Sequence, residues 1–354
     1  MISITEKMIK LVNKLHRNHV LSKEEFIDLM DHMDQDTLDF IRSLARNISQ
    51  RYFGNKVYVR GLIEFTNYCS NDCYYCGIRK GNKEIIRYHL TKEEIMECCH
   101  RGYQLGFRTF VLQGGEDPSY TDEDLVSIIH SMKEAYSDCA ITLSIGERTY
   151  DSYQRLKESG VDRFLLRHET ANSVHYKKLH PRNLSLENRK RCLYDLKELG
   201  FQVGTGFMVG SPYQTTECLA EDLLFIHDLK PHMVGIGPFI PHHKTPFKDQ
   251  KPGSYEQTLL LISILRIMLP NGLLPATTSL GTLVDGGREQ GILSGANVVM
   301  PNLSPFNARK SYQLYDNKLH TGAEHAEGAN GLRANMKAIG YDLSYERGDF
   351  KPMI

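Results

Sequence analysis

The hydrophobic pattern of the chain changes near residue 55. Residues 1–50 carry apolar positions at helical spacing, and Ser22 with Glu25 forms a capping-box pattern. Glycine and asparagine at positions 54–55 end this pattern, and short apolar runs follow from residue 57 onwards. The first 50 residues are therefore predicted to form an N-terminal helical extension.

Eight short apolar runs then alternate with amphipathic segments. The runs are typical of buried strands and cover residues 57–65, 109–112, 140–144, 163–166, 201–208, 232–237, 274–279 and 296–300. Helices are predicted between them near 91–106, 122–135, 149–159, 186–199, 215–229, 255–268 and 287–294.

This alternation predicts an α/β fold with a parallel sheet, because parallel strands need crossover connections. Eight such units fit a (β/α)8 TIM barrel, which we place at residues 51–302. An open doubly wound sheet would carry a glycine-rich phosphate turn after its first strand, where this chain has cysteines. Residues 303–354 are predicted to form a short C-terminal extension packing on the barrel, loop-like at 322–331 with a short helix at 331–339.

Charge and composition narrow the classes of function. The chain has 43 basic and 43 acidic residues, and this balance gives no electrostatic case for nucleic acid. It has no uncharged apolar run long enough for a membrane span, and its N-terminus is too charged for a signal peptide. We therefore expect a cytoplasmic protein, whose eight cysteines are thiols or metal ligands rather than disulfides.

Three of these cysteines, Cys69, Cys73 and Cys76, form a C-x3-C-x2-C pattern directly after the first predicted strand. Buried core thiols are one interpretation, but the segment is polar and rich in asparagine. Structural zinc is another, but it normally takes four protein ligands, and the remaining cysteines have helical or core positions. A 4Fe–4S cluster held by three thiolates remains, with one iron open to an exchangeable ligand.

Active-site groups of a barrel come from the carboxyl ends of its strands. Gly114 and Gly115 follow the second strand and allow close approach of the backbone to a ligand. The fourth strand ends in "RHETAN", and Arg189 on the next helix is a candidate partner of Glu169 or of a ligand carboxylate. His242 and His243 are interpreted as loop residues, because adjacent histidines rarely ligate one ion.

The other strand ends are predicted to line a cavity with one permanently charged cation and several hydroxyl or amide donors. Its wall is predicted to comprise Gln113, Arg167, Thr277, Thr278, Met300 and Tyr312. A guanidinium grips a carboxylate or a cyanide-type anion with charge-assisted bonds, so this wall suits a small anionic or amino-acid-like substrate.

The C-x3-C-x2-C motif after the first strand of an α/β barrel resembles the signature of the radical S-adenosylmethionine (SAM) superfamily. Further strings narrow the likeness: "YVRGLIEFTNYCSNDCYYCGIRKGN", "LQGGEDP", "LLRHETAN", "MVGIGPFIPHHKTP", "PATTSLGTLVDGGRE" and "GANVVMPNLSP". Together they closely resemble the HydE family of FeFe-hydrogenase maturases, from about residue 50 to 316. Biotin synthase and methylornithine synthase share the barrel and the motif but are less similar at strands four, six and seven.

The resemblance implies that Cys69, Cys73 and Cys76 hold one 4Fe–4S cluster, whose open iron is chelated by SAM. Reductive cleavage of SAM then gives a 5′-deoxyadenosyl radical. The implied SAM-binding residues are Tyr75, Gly114, Gly115, Glu116, Ser144, Glu169, Arg189, Ile236 and Phe239. The implied substrate-site residues are the six of the cavity wall.

The resemblance also implies a role in assembly of the hydrogenase cofactor (the H-cluster), on a small cysteine-containing iron complex with CO and cyanide. Implied partners are other hydrogenase maturation proteins and an electron donor such as ferredoxin or flavodoxin. Some relatives carry a second cysteine group near the C-terminus, whereas residues 315–336 contain no cysteine, so a single cluster is expected. A radical SAM amino-acid mutase, a sulfur-inserting synthase and a non-catalytic iron–sulfur carrier remain as alternatives.

Overall fold

A computed structural model of the protein describes residues 3–319 and 326–352. Its helices are α1 (Ile4–Asn18), α2 (Lys23–Asp31), α3 (Gln35–Phe53), α4 (Lys92–Gln104), α5 (Asp122–Ala135), α6 (Tyr150–Glu158), α7 (Ser173–Leu179), α8 (Leu186–Glu198), α9 (Thr216–Leu229), α10 (Tyr255–Met268), α11 (Thr278–Leu283), α12 (Gly287–Leu293), α13 (Phe306–Ser311) and α14 (Ala329–Ala338). Its strands are β1 (Lys56–Val59), β2 (Gly61–Thr66), β3 (Thr109–Gly114), β4 (Ala140–Ser144), β5 (Arg163–Leu165), β6 (Gln202–Thr205), β7 (Met208–Val209), β8 (Met233–Val234), β9 (Gly237–Pro238), β10 (Val298–Val299) and β11 (Asp342–Ser344).

The strands form a closed parallel barrel. Strands β2, β3, β4, β5, β6 and β8 are hydrogen-bonded in that order, and every pairing is parallel. Bridges from Met233 to Leu273 and from Pro275 to Val298 continue the circuit to β10, which pairs with β1. The predicted α/β barrel is thereby confirmed.

Four predicted strands differ from the structure. The first is divided at Arg60 into β1 and β2, the fifth (201–208) into β6 and β7, and the sixth (232–237) into β8 and β9. The seventh, predicted at 274–279, makes only isolated bridges, because Pro275 has no N–H to donate and α11 begins at Thr278.

The helices and the C-terminal segment also depart from the sequence prediction in places. Sequence patterns missed α7, α11, α13 and β11, which are short. The loop predicted at 322–331 lies partly outside the described residues, and its remainder was wrong, because a 3-10 turn (Ala326–Gly328) leads into α14. The short helix predicted at 331–339 is α14 itself.

The N-terminal helices pack on the outside of the barrel. α3 lies along α10, and α2 lies along α9. Ser3, Ser22 and Asp34 cap these three N-terminal helices through their side-chain oxygens. The N-terminal extension is therefore helical, as predicted, with its first helix beginning at Ile4.

The C-terminal residues close the amino end of the barrel. β11 pairs with β1, and the following chain crosses the starts of β3, β5 and β6. The fully buried Arg163 guanidinium lies 2.6 Å from the Asp349 carboxylate, and Arg347 holds the same carboxylate at 2.8 Å. Although burial opposes ionisation, the hydrogen bond from Arg347 and the charge of Arg163 hold the pKa of Asp349 well below its usual range.

Replacing Asp349 with alanine should destabilise the fold by about 3 kcal/mol, because it leaves the buried Arg163 charge unpaired. The free energy of unfolding in urea measures the effect. Because the folded pKa of Asp349 is depressed, its stabilisation is present above the ordinary Asp pKa of about 4 and fades as the pH falls below it.

The control is Asp342→Ala on the exposed surface of the same segment, for which a change within about 0.5 kcal/mol is expected. Equal losses in the two variants, or a loss in Asp349→Ala that persists unchanged at low pH, would contradict the role given to the Arg163–Asp349 pair.

Candidate active site at the carboxyl end of the barrel

The three cysteines lie in a long connection, residues 67–90, that follows β2 and contains no helix or strand; we call it the cysteine loop. One guanidinium, that of Arg87, organises it from within. Arg87 donates to four backbone carbonyls of the loop, those of Asn67, Ile78, Arg79 and Asn82. Because a guanidinium is a rigid planar fork of donors, it fixes the relative positions of both halves of the loop.

Neighbouring strand ends hold the loop from outside. The Ser70 amide donates to the Glu116 carbonyl at 2.8 Å, and the Tyr74 amide donates to the Leu179 carbonyl at 3.0 Å. Glycine is required where the backbones approach most closely. A Cβ at Gly115 would lie 2.1 Å from the Tyr68 carbonyl oxygen and 2.6 Å from the Cys69 Cβ. The predicted glycine turn after β3 therefore packs directly against the cysteine loop.

The three loop cysteines are free, half-buried thiols. Burial raises the pKa of each, and the neighbouring thiols raise those of Cys73 and Cys76 further, the latter to about 12. Three thiolates are therefore stable together only against a strong positive charge, which the irons of a cluster supply. The loop residues fit a cluster held by three cysteines.

Tyr75 lies inside the motif and faces the ligand side. Its ring packs edge-on against His180 with centroids 5.4 Å apart, and its hydroxyl is 3.1 Å from His180 Nε2. Burial, with the charges of Cys73 and Glu169, raises the pKa of Tyr75 well above its ordinary value, so its hydroxyl stays protonated. The contacts with His180 hold the Tyr75 side chain against the segment that follows α7.

Arg189 is buried between two carboxylates at this end of the barrel. Its Nε lies 2.7 Å from Glu147 Oε1, and its Nη2 lies 3.5 Å from Glu116 Oε1. Although burial opposes its charge, Glu147 and Glu116 raise the pKa of Arg189 above its ordinary value. The suggested direct pairing of Arg189 with Glu169 is therefore wrong: helix α8 aims Arg189 at the ends of β3 and β4 instead. Glu147 was missed by sequence reasoning.

Glu169 has an unusual backbone for a glutamate, with a φ of 64° in the left-handed region. Its Oε2 lies 3.1 Å from Arg167 Nη2 but without hydrogen-bond geometry. Within the described residues, Glu169 Oε2 and the Nε and Nη2 atoms of Arg167 are buried polar atoms that lack a hydrogen-bond partner. Orphaned charged atoms beside a strained residue are typical of a ligand site. A carboxylate with a spare oxygen fits the ammonium or hydroxyl groups of SAM.

A buried pair supports this strained turn from behind. His168 Nε2 lies 3.3 Å from Asp222 Oδ1 on α9, and both side chains are fully buried. Asp222 also accepts a hydrogen bond from the Ala171 amide, and His168 Nδ1 lies 2.9 Å from Thr205 Oγ1. The turn that carries Arg167 and Glu169 is thus fixed to the scaffold on its outer side.

The predicted cavity wall is partly assembled by direct contact. Gln113 Nε2 donates to the Tyr312 hydroxyl at 3.4 Å, and Gln113 is in register with Ser144 on one side and Glu64 on the other. Glu64, which sequence reasoning missed, is a buried carboxylate that pairs with Lys318. A charged residue inside the apolar run "LIEF" was the only sequence signal for it.

The remaining predicted residues lie at other strand ends. Thr277 Oγ1 lies 3.3 Å from the Ile236 carbonyl oxygen, and Thr278 begins α11. Met300, after β10, packs on a buried group that includes Tyr58. Ile236 and Phe239 are buried, Phe239 in an apolar cluster with Tyr74, Tyr75, Leu179, Met208 and Phe247.

His242, His243 and Asp316 bring potential metal-ligand atoms within 4.8 Å of one another. His242 Nδ1, however, accepts a hydrogen bond from the Lys244 amide at 3.0 Å, so in the neutral ring the proton is on Nε2, the atom nearer Asp316. His243 is hydrogen-bonded to Asp316 at 2.6 Å. The group is a hydrogen-bonded contact between two loops, in line with the interpretation of both histidines as loop residues.

In the described residues, no helix combines the length and the apolar character needed to cross a bilayer.

Comparison with known proteins agrees with this geometry. Residues 63–226 match the model of the radical SAM superfamily. The chain is 44% identical over 310 residues to the FeFe hydrogenase maturase subunit HydE of Thermotoga maritima, covering 88% of both chains. It is 29% identical over 317 residues to 3-methylornithine synthase of Methanosarcina acetivorans, covering 89% of both chains.

Solved structures show the same architecture. The crystal structure of methylornithine synthase superposes with a TM-score of 0.81 at 27% identity, covering 94% of this chain and 97% of the other. The hydrogenase maturase HydG superposes with a TM-score of 0.80 at 20% identity, covering 96% of this chain and 76% of the other, which is a likeness of fold alone. The chain belongs to the radical SAM superfamily and, within it, to the HydE family.

Proposed function

We propose that this protein is the radical SAM enzyme that acts in assembly of the FeFe-hydrogenase active-site cofactor. The observation that carries the proposal is a three-cysteine loop together with an Arg167–Glu169 ion pair whose buried atoms lack hydrogen-bond partners among the described residues, in a chain 44% identical to a HydE. We also propose a cytoplasmic location, because cluster thiolates are kept in reducing compartments.

In this proposal, Cys69, Cys73 and Cys76 hold one 4Fe–4S cluster. When bound, the cluster and SAM together supply one-electron reductive cleavage of the C5′–S bond of SAM. Glu169 accepts hydrogen bonds from SAM, and Arg189, held by Glu116 and Glu147, contributes a fixed positive charge.

Further SAM contacts are proposed for the backbone at Gly114 and Gly115 and for the side chains of Ser144, Tyr75, Ile236 and Phe239. The strand-end row formed by Gln113 and Ser144 lies beside the glycine turn, which favours this arrangement. Tyr75, bonded to His180, is oriented before any ligand arrives, so little conformational entropy is lost on binding.

The substrate proposed is a small cysteine-containing iron carbonyl cyanide complex. Arg167 is the firm cation available for a carboxylate or cyanide group, since its Nε and Nη2 have no hydrogen-bond partner among the described residues. Gln113 and Tyr312, already in contact, offer amide and hydroxyl donors, and Thr277, Thr278 and Met300 complete the proposed wall. Proposed partners are other hydrogenase maturation proteins and a ferredoxin- or flavodoxin-type electron donor.

The direct test has two arms. Anaerobic incubation with SAM and dithionite is expected to yield 5′-deoxyadenosine or an adenosylated product. Expression in a host that lacks its own HydE-type maturase is expected to restore active FeFe-hydrogenase. A reduced cluster that leaves SAM intact would refute the enzyme proposal.

A methylornithine-synthase-like mutase is the second candidate, favoured by the TM-score of 0.81. It predicts turnover of lysine with SAM, and a biotin-synthase-like enzyme predicts turnover of dethiobiotin. Turnover of lysine without hydrogenase activation would favour the mutase, and turnover of dethiobiotin without hydrogenase activation would favour the biotin-synthase-like enzyme.

The cysteine loop should account for all of the bound iron. Reconstituted protein is expected to contain about four irons per chain, the content of a single 4Fe–4S cluster. Replacing Cys73 with serine should abolish most of this iron, since two thiolates are left to hold the cluster. Iron analysis with the visible absorption spectrum measures the loss.

Cys218→Ser, on α9 away from the loop, is the matched control and should keep its iron. About eight irons in the wild type would contradict the single-cluster proposal, and equal iron loss in both variants would remove the special role of the loop.

Replacing Glu169 with glycine should separate strain from function. Glycine relieves the left-handed backbone, but the change also removes the ion pair with the partly exposed Arg167, so the two effects oppose each other and stability should change by no more than about 1 kcal/mol. Loss of the carboxylate should weaken SAM binding by at least about tenfold, or 1.4 kcal/mol. Urea unfolding and a SAM binding titration on the reconstituted protein measure the two effects.

Tyr213→Gly is the control, because Tyr213 also has a left-handed φ, of 69°, but is largely exposed. Its SAM affinity should remain that of the wild type. Unchanged SAM affinity in Glu169→Gly would remove Glu169 from the proposed SAM site.

A further inference from the structure

A groove of about 540 Å³ runs along the outer face of the cysteine loop. Of the three loop cysteines, Cys69 lines this groove. Tyr75, on the same loop, packs on His180 and on the apolar cluster that includes Phe239, and it does not line the groove. Cys69 is therefore the loop cysteine that a partner seated in the groove would approach.

The groove is basic, although the chain as a whole carries equal numbers of basic and acidic residues. Lys80 and Lys83 line it and are exposed, and the Arg87 guanidinium lies beside them. Its one acidic lining residue is Asp117. The Asp117 carboxylate is hydrogen-bonded to the Thr66 hydroxyl and to His89, so it is less available to a partner in the groove.

A second depression, of about 390 Å³, adjoins the first and shares His89 and Ser119 with it. Lys92 and Asp124 both line this depression, so their charges offset each other there. The two depressions form one extended surface beside the cysteine loop, whose excess of positive charge lies at Lys80 and Lys83. An extended surface of this kind favours a protein partner.

Apolar groups are exposed within and beside this basic surface. The Tyr68 ring is 40% exposed and stacks on His89, with centroids 4.2 Å apart and planes 4° apart. Ile86, next to the groove-lining Ile85, is 76% exposed. An apolar centre with cations around it is the usual anatomy of a transient protein interface.

We infer that this groove is the docking surface for an acidic one-electron carrier protein, which delivers the electron to the cluster past Cys69. The inference rests on the proposed function, because reductive SAM cleavage consumes one electron per event. The carrier is oxidised by one electron, the cluster is reduced by one electron, and no bond forms or breaks in the transfer. SAM and substrate occupy the mouth side in this scheme, so the carrier approaches from outside.

The test uses the reconstituted full chain and an acidic flavodoxin as the probe. The double variant Lys80→Glu/Lys83→Glu reverses the charge of the groove without altering a cluster ligand. Its Kd for flavodoxin, measured by calorimetry at low ionic strength, should rise by about tenfold or more. The rate at which reduced flavodoxin reduces the cluster, followed by visible absorption, should fall by a similar factor, whereas reduction by dithionite should be unchanged.

The control is Lys10→Glu/Lys337→Glu, the same charge change on two exposed lysines outside the groove. Wild-type flavodoxin affinity in the groove variant, equal weakening in the control, or equal slowing with flavodoxin and dithionite would each overturn the docking surface. Failure of the wild type to cleave SAM after dithionite reduction would instead overturn the proposed function. The two failures are therefore distinguishable.

Discussion

The site depends on one requirement, which is that a long loop without regular structure must hold three half-buried thiols in fixed positions. Backbone amides and carbonyls in such a loop have no helix or sheet partners, and leaving them unpaired in the interior is costly. Arg87 meets this requirement by donating to four loop carbonyls at once. The barrel strands then act as the outer frame, through backbone contacts such as that between Ser70 and Glu116. The loop is preorganised before it binds iron.

The charged groups at the barrel mouth fall into two kinds, and their hydrogen bonds distinguish them. Arg87 donates its hydrogen bonds to backbone carbonyls, so its role is structural. Arg167 has two buried nitrogen atoms without partners in the described part of the chain, facing a glutamate with a spare oxygen. Buried charges are tolerated when they are paired and hydrogen-bonded, so an incomplete pair indicates that a ligand completes it. Arg189 is intermediate between these two kinds. Two carboxylates compensate the cost of burying its charge, and its guanidinium remains beside the proposed site.

The sequence predicted what depends on local pattern and missed what depends on distant contacts. The cysteine motif, the alternation of strands and helices, and the glycine turn after β3 are each contained in a short stretch. The Glu64 carboxylate is paired with Lys318, 254 positions later, and accepts a hydrogen bond from Asn302, and a local sequence pattern cannot predict such distant partners. The partner of Arg189 was misjudged for the same reason, because the direction in which α8 projects a side chain is set by packing.

The C-terminal segment makes contacts with the barrel across the predicted boundary at residues 302–303. Lys318 pairs with the fully buried Glu64 at the mouth of the barrel, and Tyr312 contacts Gln113 there. Some thirty residues later, the same segment closes the opposite end through Asp349 and Arg163. A barrel without it would retain a buried carboxylate and a buried guanidinium, each deprived of its counter-charge, and both are costly in a low-dielectric interior. The segment therefore supplies a counter-charge at both ends of the barrel, and Tyr312, one residue of the proposed cavity wall, lies beyond the last barrel strand.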